Sequence, residues 1–390
     1  MPLKALARLS VAAAAALLLA APPAGALIAQ DQEVVDRGLD VLYRGDIDGS
    51  RLIFEQAVAA RPGDAALSLG LAVASWWRME NDFAPPGSPE EKRFLADVER
   101  AIADGTAAVA RGEDAEAWLC LGAAYGLRSR LAASRKQWFR AYRDGRRAYR
   151  SEQRALRLEP GLIDAYLGLG AFDYYVATLP GFVRLLAFGK GAGKARGLEE
   201  LRVAAQGRFS GMAAKLILVG ILWTFEKQPR EAWAIVEELH GRYPDSPLIE
   251  SMRLIGLFRL RDAEGLVREA RRFLERARGG TAFYRPIDQA VGLTFLGLGE
   301  LLAGRCEDAL AHERAALELI PEGHRLRGLP RLFIGECLDL LGRRGEAVAS
   351  YRQTLKEPGF WGVPRAAKRN LKHPFRADEN PLPSRSDELE

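Results

Sequence analysis

Small and apolar residues recur along the chain with the three-and-four spacing that places them on one face of a helix. The segment 290–321 shows this most clearly, with its signature positions at Leu296, Gly297, Gly304, Ala309, Ala316 and Pro321. Gly304 predicts the turn between two helices, and Pro321 ends the second because proline has no backbone N–H to donate. Since small side chains at Gly297 and Ala309 permit close approach, the pattern predicts an antiparallel helical hairpin.

The same pattern of small and apolar positions returns at other places in the chain. Near the start it is carried by Gly38, Gly45, Ser50, Phe54, Ala57 and Pro62, and near the end by Ile334, Gly335, Gly342, Ala347 and Tyr351. Partial copies lie between them, and together they predict about eight hairpins. Alternating apolar and polar runs, which would indicate strands, are nearly absent. We therefore expect an almost entirely helical protein.

A 34-residue repeat with these signature positions resembles the tetratricopeptide repeat, and the resemblance extends over residues 31–361. It implies an all-α fold, a right-handed α-solenoid of about eight tetratricopeptide-like hairpins, which we expect to occupy residues 27–362. Members of this superfamily are usually binding scaffolds, so the resemblance also implies protein partners, whose identity the repeat does not specify.

Two segments interrupt the repeat and are predicted to be insertions, at about residues 126–147 and 176–196. The first separates Gly122 from Ala148 by more than one hairpin allows. The second follows Tyr174, is apolar and then glycine-rich, and is similar to the equivalent region of a tetratricopeptide subfamily that includes eukaryotic outer-membrane and inclusion-clearance proteins. This apolar stretch either covers the groove of the solenoid or contacts a partner or a membrane.

The two ends of the chain have separate predicted roles. Lys4 and Arg8 precede an apolar run, and Ala24-Gly25-Ala26 forms a small-residue cleavage site, which is the layout of a secretory signal peptide. We expect residues 1–26 to be removed and the mature protein to be a bacterial, periplasmic one, with an uncleaved membrane anchor as the alternative. The proline-rich polar segment 363–390 is expected to be a disordered tail.

Composition and motifs give no indication of catalysis. The chain has 390 residues, 48% of them hydrophobic, and a net charge of +5, which does not predict nucleic-acid binding. Its four histidines are scattered without metal-ligand spacing. The glycine-rich segment 189–194 is not a phosphate-binding loop, because Phe188 and Ala195 replace its first glycine and its hydroxyl residue. We therefore predict no catalytic residue, no cofactor, no metal and no enzyme activity.

A stripe of cations is the first candidate binding surface. Its six members are spaced by 4, 3, 4, 3 and 4 positions and so fall on one helix face: Lys136, Arg140, Arg143, Arg147, Arg150 and Arg154. The stripe is either a solvated face or a docking site for an anionic envelope surface, whether phospholipid headgroups, an envelope polymer or an acidic protein. A neighbouring row that includes Phe139 and Tyr149 is expected to pack on the solenoid.

The concave groove is the second candidate binding surface. In the tetratricopeptide superfamily the first helix of each hairpin lines this groove. Projecting those positions gives a mostly apolar and aromatic set: Tyr43, Leu167, Tyr174, Tyr175, Ile221, Phe225, Leu298 and Leu302. Such a groove would accept an apolar helix, an extended peptide or a lipid-like ligand, unless the inserted segments fill it from within.

Together these features predict a periplasmic scaffold that mediates protein–protein interaction in envelope assembly or export. The alternative is a carrier or holdase that binds an apolar peptide or lipid-like ligand in the groove. Cys306 and Cys337 are expected to lie on neighbouring antiparallel helices. They are either bridged in an oxidising compartment or remain two buried thiols, while Cys120 is expected to be buried and inert.

Overall fold

The computed structural model describes residues 24–112, 114–178, 193–280, 283–359 and 362–382. These residues form 17 α-helices and two short 3-10 helices, and no strand occurs among them. The predicted all-α solenoid is therefore confirmed. Within the same ranges, no helix is both long enough and apolar enough to cross a membrane.

Consecutive helices of the described residues pair into eight hairpins that stack along the chain. The first four hairpins are α1 (Ala24–Arg44) with α2 (Ile47–Ala60), α3 (Ala65–Asn81) with α4 (Pro89–Arg111), α5 (Ala115–Ser134) with α6 (Trp138–Leu158), and α7 (Tyr166–Ala177) with α8 (Lys194–Ala204). The other four are α9 (Gly211–Thr224) with α10 (Pro229–Arg242), α11 (Pro247–Arg259) with α12 (Ala263–Arg278), α13 (Pro286–Leu302) with α14 (Cys306–Leu319), and α15 (Gly328–Leu340) with α16 (Arg344–Thr354). A last helix, α17 (Val363–Lys372), packs on the final pair.

Local sequence signals determine where many of these helices begin. Asp46, Asp64 and Asp262 each precede a helix, and each side chain accepts a hydrogen bond of 2.8 to 3.0 Å from the backbone N–H three residues later. These caps satisfy N–H groups that have no partner inside the helix. Ser88 caps α4 in the same way, just before Pro89, which needs no N–H partner at the first helical position.

Small residues allow the two helices of a hairpin to touch, as the sequence pattern predicts. Gly170 of α7 lies against Gly197 of α8, and a Cβ atom on Gly170 would stand 2.8 Å from the Gly197 carbonyl oxygen. That distance is too short for a carbon–oxygen contact in a packed interior, so only glycine fits. Ala232, Ala309 and Ala347 occupy the corresponding position on other second helices and are completely buried.

The first hairpins also pack across the solenoid onto later ones. Tyr43, near the end of α1, contacts Tyr243 just after α10, with ring centroids 6.1 Å apart, in a core that also contains Ile249 of α11. The turn after α3 is joined to the turn before α13, because Arg285 forms an ion pair with Asp82. These contacts tie hairpins that are distant in the sequence into one body.

The predicted disordered tail, residues 363–390, is wrong for the part that the structure describes. Its first ten residues form α17, in which Val363 and Ala367 are buried against the last hairpin. Beyond the helix, Phe375 is buried and its backbone N–H donates to Asp339 over 2.8 Å. This segment covers the apolar side of the last described hairpin, which would otherwise be open to solvent. The last eight residues lie outside the described ranges.

Two other predicted segments fall largely outside the described residues. The predicted signal peptide, residues 1–26, overlaps the described chain only from Ala24, where α1 begins. In the predicted insertion at 176–196, α7 extends to Ala177 and α8 starts at Lys194, while residues 179–192 lie outside. The glycine-rich segment 189–194 is likewise mostly outside.

Candidate functional site

The third hairpin is long and carries most of the predicted cation stripe. Its helices α5 and α6 have 20 and 21 residues, whereas α9 and α10 have 14 each. The predicted insertion at 126–147 is therefore an extension of both helices rather than a separate segment. The turn that joins them contains Lys136 with a φ of +58°, and Arg135 beside it forms an ion pair with Glu91 at the start of α4.

Buried charges hold α6 against α5 and α4. The Arg128 guanidinium of α5 donates to both carboxylate oxygens of Asp144, over 2.8 and 3.0 Å, and to Glu99 of α4 over 2.7 Å. Asp144 is completely buried and Arg128 nearly so. Because a buried carboxylate without a partner is strongly destabilising, this two-point pairing fixes the rotation of α6 with Asp144 facing inward.

The exposed side of α6 is rich in cations. Seven arginines share it, within an arc of about 120° for a helix that turns 100° per residue. We name this surface the arginine face: Arg140, Arg143, Arg146, Arg147, Arg150, Arg154 and Arg157. All are exposed except the half-buried Arg154. The two acidic residues of the helix, Asp144 and Glu152, are both buried, so α6 presents no exposed carboxylate of its own.

The predicted stripe is brought together on the arginine face, apart from Lys136 in the preceding turn. Its arginines are only partly neutralised by neighbouring groups. Arg143 and Arg147 lie 3.6 and 3.7 Å from the buried Asp144, and Arg140 lies 4.0 Å from a glutamate of α4. Because Asp144 already has a buried guanidinium partner, the arginine face keeps a surplus of positive charge.

Two adjacent aromatic side chains stand at the start of α6. Trp138 is 55% exposed and Phe139 is 78% exposed, and no other adjacent pair of large apolar side chains in the described ranges is exposed. The expectation that Phe139 packs on the solenoid is therefore wrong. The packing side of α6 consists instead of small residues such as Gly145 and Ala148, because α5 approaches closely there. Tyr149 of the same predicted row does pack, with its ring centroid 4.9 Å from a ring of α7.

The predicted groove residues do not form one open surface. Four of the eight are buried in the core, namely Tyr43, Tyr174, Ile221 and Leu298. Leu167, Phe225 and Leu302 are half-buried, and only Tyr175 is exposed, at 43%. Contacts between hairpins use these side chains: Tyr174 packs on Phe225 and its hydroxyl donates to Glu226.

Carboxyl groups are also buried between α6, α7 and α8. Asp173 and Glu200 share Arg196, whose Nε atom lies 3.1 Å from the first carboxylate and 2.9 Å from the second. Burial raises the pKa of Asp173 to about 6, and the nearby Glu200 adds to this shift. Glu152 is deeper, and burial raises its pKa well above the usual value. This cluster joins the third hairpin to the fourth.

A second buried acidic set lies between α13, α14 and α15, and the repeat pattern does not indicate it. Glu313 and Glu336 are completely buried, and burial raises the pKa of both carboxyl groups well above the usual value. Glu336 accepts a hydrogen bond of 3.0 Å from Asn370 of α17, and His312 Nδ1 lies 2.7 Å from Glu300. Among the described residues, however, no three His, Cys, Asp or Glu side chains are arranged to hold a metal ion.

Cys306 and Cys337 are buried free thiols that lie near each other. Cys306 is the first residue of α14, and the neighbouring Cys337 thiol lowers the pKa of the Cys306 thiol. The structure thus brings the predicted pair near each other, as thiols. Cys120 is the third buried free cysteine, and burial raises its pKa to about 12.

No protein-family model matches the chain, and comparison with curated proteins finds no match either. Among solved structures, the chain is similar to the crystal structure of the P58(IPK) TPR domain, with 16% identity over 84% of this chain and 83% of that one and a TM-score of 0.23. It is also similar to the structure of Naa15/Naa10 bound to HypK-THB, with 12% identity over 88% of this chain and 66% of that one and a TM-score of 0.25. Because these TM-scores are low, the two similarities are not evidence for fold or function. The helical-hairpin fold is established by the contacts described above.

Proposed function

We propose that the mature chain is a periplasmic scaffold that binds protein partners in envelope assembly or export. The observation that supports this most directly is the stack of eight hairpins, in which early and late hairpins are held together by contacts within the chain. The outer surface of this stack is therefore preformed. A preformed surface loses little conformational freedom on binding, which lowers the free-energy cost of association. The signal-peptide layout of residues 1–26 supports export.

We call the contacts between early and late hairpins, such as Tyr43 with Tyr243 and Asp82 with Arg285, the brace. It consists of polar as well as apolar contacts. Besides its ion pair with Asp82, Arg285 donates to the carbonyl oxygen of Asn81 over 3.0 Å. His324 Nε2 lies 3.3 Å from the carbonyl oxygen of Asp82, and its ring packs edge-on against Phe83. The end of α3 is therefore held by the turns before α13 and α15. This fixes the spacing between early and late hairpins, as a scaffold with several docking surfaces requires.

The carrier alternative has less support from the described residues. A carrier for an apolar ligand needs a chamber lined by accessible apolar side chains. Half of the predicted groove set belongs instead to the protein core, including Tyr174 and Ile221, neither of which is accessible to solvent. The described residues therefore favour partners that bind the outer surface.

Isolation of the native chain from a bacterial envelope fraction, followed by quantitative mass spectrometry of bound proteins and lipids, tests this function. We expect a mature amino terminus near Leu27 and one or more proteins at a constant ratio to the chain, displaced by excess untagged chain. A stoichiometric lipid without any protein would support the carrier instead. An intact amino terminus on the envelope-derived protein would contradict export.

A further inference from the structure

The surface charge of α6 differs from that of an ordinary solvated helix. α12 offers the comparison, since it carries five arginines and also three glutamates, Glu264, Glu269 and Glu275. Those glutamates form surface ion pairs, for instance Arg272 with Glu269 at 3.0 Å and Arg305 with Glu264 at 2.6 Å. α6 has seven arginines and turns both of its carboxylates inward. Its exposed side therefore attracts anions from outside the chain.

The exposed aromatic residues continue this surface rather than interrupting it. Phe139 precedes Arg143, Arg146 and Arg150 by four, seven and eleven positions, which places its ring in line with them on the exposed side of the helix. Trp138 stands beside it at the helix start, exposed as well. The helix is about 31 Å long at 1.5 Å per residue, so the arginine face and the two rings form one elongated contact area.

We propose that the arginine face, with Trp138 and Phe139 at its end, docks on the surface of an anionic phospholipid bilayer. Guanidinium groups bind phosphate oxygens at two points, and tryptophan and phenylalanine side chains settle at the depth of the lipid headgroups. A bilayer presents an anionic layer with an apolar layer directly beneath it, which matches both parts of this surface. An acidic polymer offers the charge without the apolar layer. This docking is independent of the protein that the solenoid binds.

Binding of the purified mature chain to vesicles tests the proposal. Vesicles of phosphatidylglycerol and phosphatidylethanolamine are compared with vesicles of phosphatidylcholine alone, by co-sedimentation and by tryptophan fluorescence. We expect binding to the anionic vesicles only, a blue shift of the tryptophan emission on binding, and affinity that falls as salt is raised. Equal binding to both vesicle types, or no binding to either, would overturn the proposal.

Two variants separate the contributions of charge and rings. Reversal of Arg146, Arg150 and Arg157 to glutamate should weaken vesicle binding by about a hundredfold, because each cation at an anionic surface contributes to affinity. Trp138→Ala with Phe139→Ala should weaken binding and abolish the blue shift. The matched control reverses Arg268, Arg272 and Arg278 of α12, giving the same change in net charge, and should bind like the parent.

Circular dichroism confirms that each variant is folded before vesicle binding is compared. Equal loss of binding in the α6 and α12 variants would show a net-charge effect and overturn the proposal. So would a folded α6 variant that binds vesicles normally but loses an acidic protein partner, since that result assigns the arginine face to the protein. Failure to find any protein partner would leave the vesicle result unaffected, so this docking and the proposed scaffold function can fail separately.

Discussion

At the residue scale, Glu313 occupies a place that an aromatic ring fills in other hairpins. Phe54 and Tyr351 each lie on a second helix with the ring against a glycine of the first, and Glu313 lies against Gly297 in the same way. Neither of its carboxyl oxygens has a hydrogen-bond partner among the described residues. Burial raises the pKa of Glu313, with Glu300 and Glu336 adding to the shift, so folding favours the protonated acid.

Glu313→Gln should therefore stabilise the protein in a pH-dependent way. A carboxyl whose folded pKa exceeds the usual 4.5 contributes stability that is complete below pH 4.5 and is lost as pH rises through the folded pKa. We expect the variant to raise the free energy of unfolding at pH 8 by about 1–3 kcal/mol, with the gain vanishing near pH 4.5. Urea unfolding at pH 4.5, 6 and 8 measures this.

The control for this prediction is Glu307→Gln, an exposed glutamate of the same helix, which should change the free energy of unfolding by less than about 0.5 kcal/mol. A Glu313→Gln variant that is destabilised at pH 8 as much as at pH 4.5 would show that the buried acid is not protonated in the folded protein.

At the element scale, the sequence predicts what is local to a hairpin. The helix pairs follow from small residues at fixed spacing, and the shared face of the cation stripe follows from the 3.6-residue period alone. The rotation of α6 does not follow from it, because Arg128 and Asp144 fix it through a contact between two helices. For that reason the prediction that Phe139 packs on the solenoid is wrong. The sequence does not predict α17, because its buried alanines are interspersed with charged residues and the segment is polar in composition.

The ordered carboxyl-terminal cover leads to a prediction about stability. Phe375 is buried beyond α17, whereas its neighbour Arg376 is exposed. Phe375→Ala should lower the free energy of unfolding by about 3 kcal/mol, because it leaves a cavity under the cover. Arg376→Ala should change it by less than about 0.5 kcal/mol. Denaturant unfolding of both variants measures the difference, and equal stability of the two would support the disordered tail after all.

The contact between α14 and α15 leads to a redox prediction. Because their thiols lie near each other, Cys306 and Cys337 should lose two hydrogen atoms to a mild disulfide oxidant, while Cys120 stays reduced. The bridge closes a loop of about thirty residues and should add about 3–4 kcal/mol to the free energy of unfolding. The number of free thiols counted on the denatured, unreduced chain should fall from three to one. Three thiols after oxidation, or a bridge that persists in Cys306→Ser, would contradict this.

At the scale of the whole molecule, the contacts across the solenoid determine what is surface and what is core. Arg285 and Asp82 are 203 residues apart in the sequence, and neither belongs to the repeat signature. The groove residues are predicted from the repeat template one hairpin at a time, as if each hairpin were independent. This procedure ignores contacts between hairpins. It therefore assigns Tyr43 to a ligand surface, although this side chain is buried against Tyr243. Long-range packing of this kind is invisible to a repeat template.

The brace should be measurable as a coupling energy. In a double-mutant cycle of Asp82→Ala and Arg285→Ala, we expect a coupling of about 1–3 kcal/mol, because the charged pair is partly shielded from solvent. The exposed pair Asp40–Arg44 within α1 is the control and should couple by less than about 0.5 kcal/mol. Equal coupling in the two pairs would mean that the brace adds no stability.

The proposed scaffold binds its partners at the outer surface rather than in a groove, and photo-crosslinking in living cells tests that directly. A photoreactive amino acid replaces Phe139 or Arg146 on the outer side of α6, or Phe225 or Leu302 of the predicted groove, and mass spectrometry identifies each adduct as protein or lipid. We predict adducts from the two α6 positions and none from the two groove positions. Adducts from Phe225 and Leu302, with none from α6, would show that the protein binds its ligands in the groove instead.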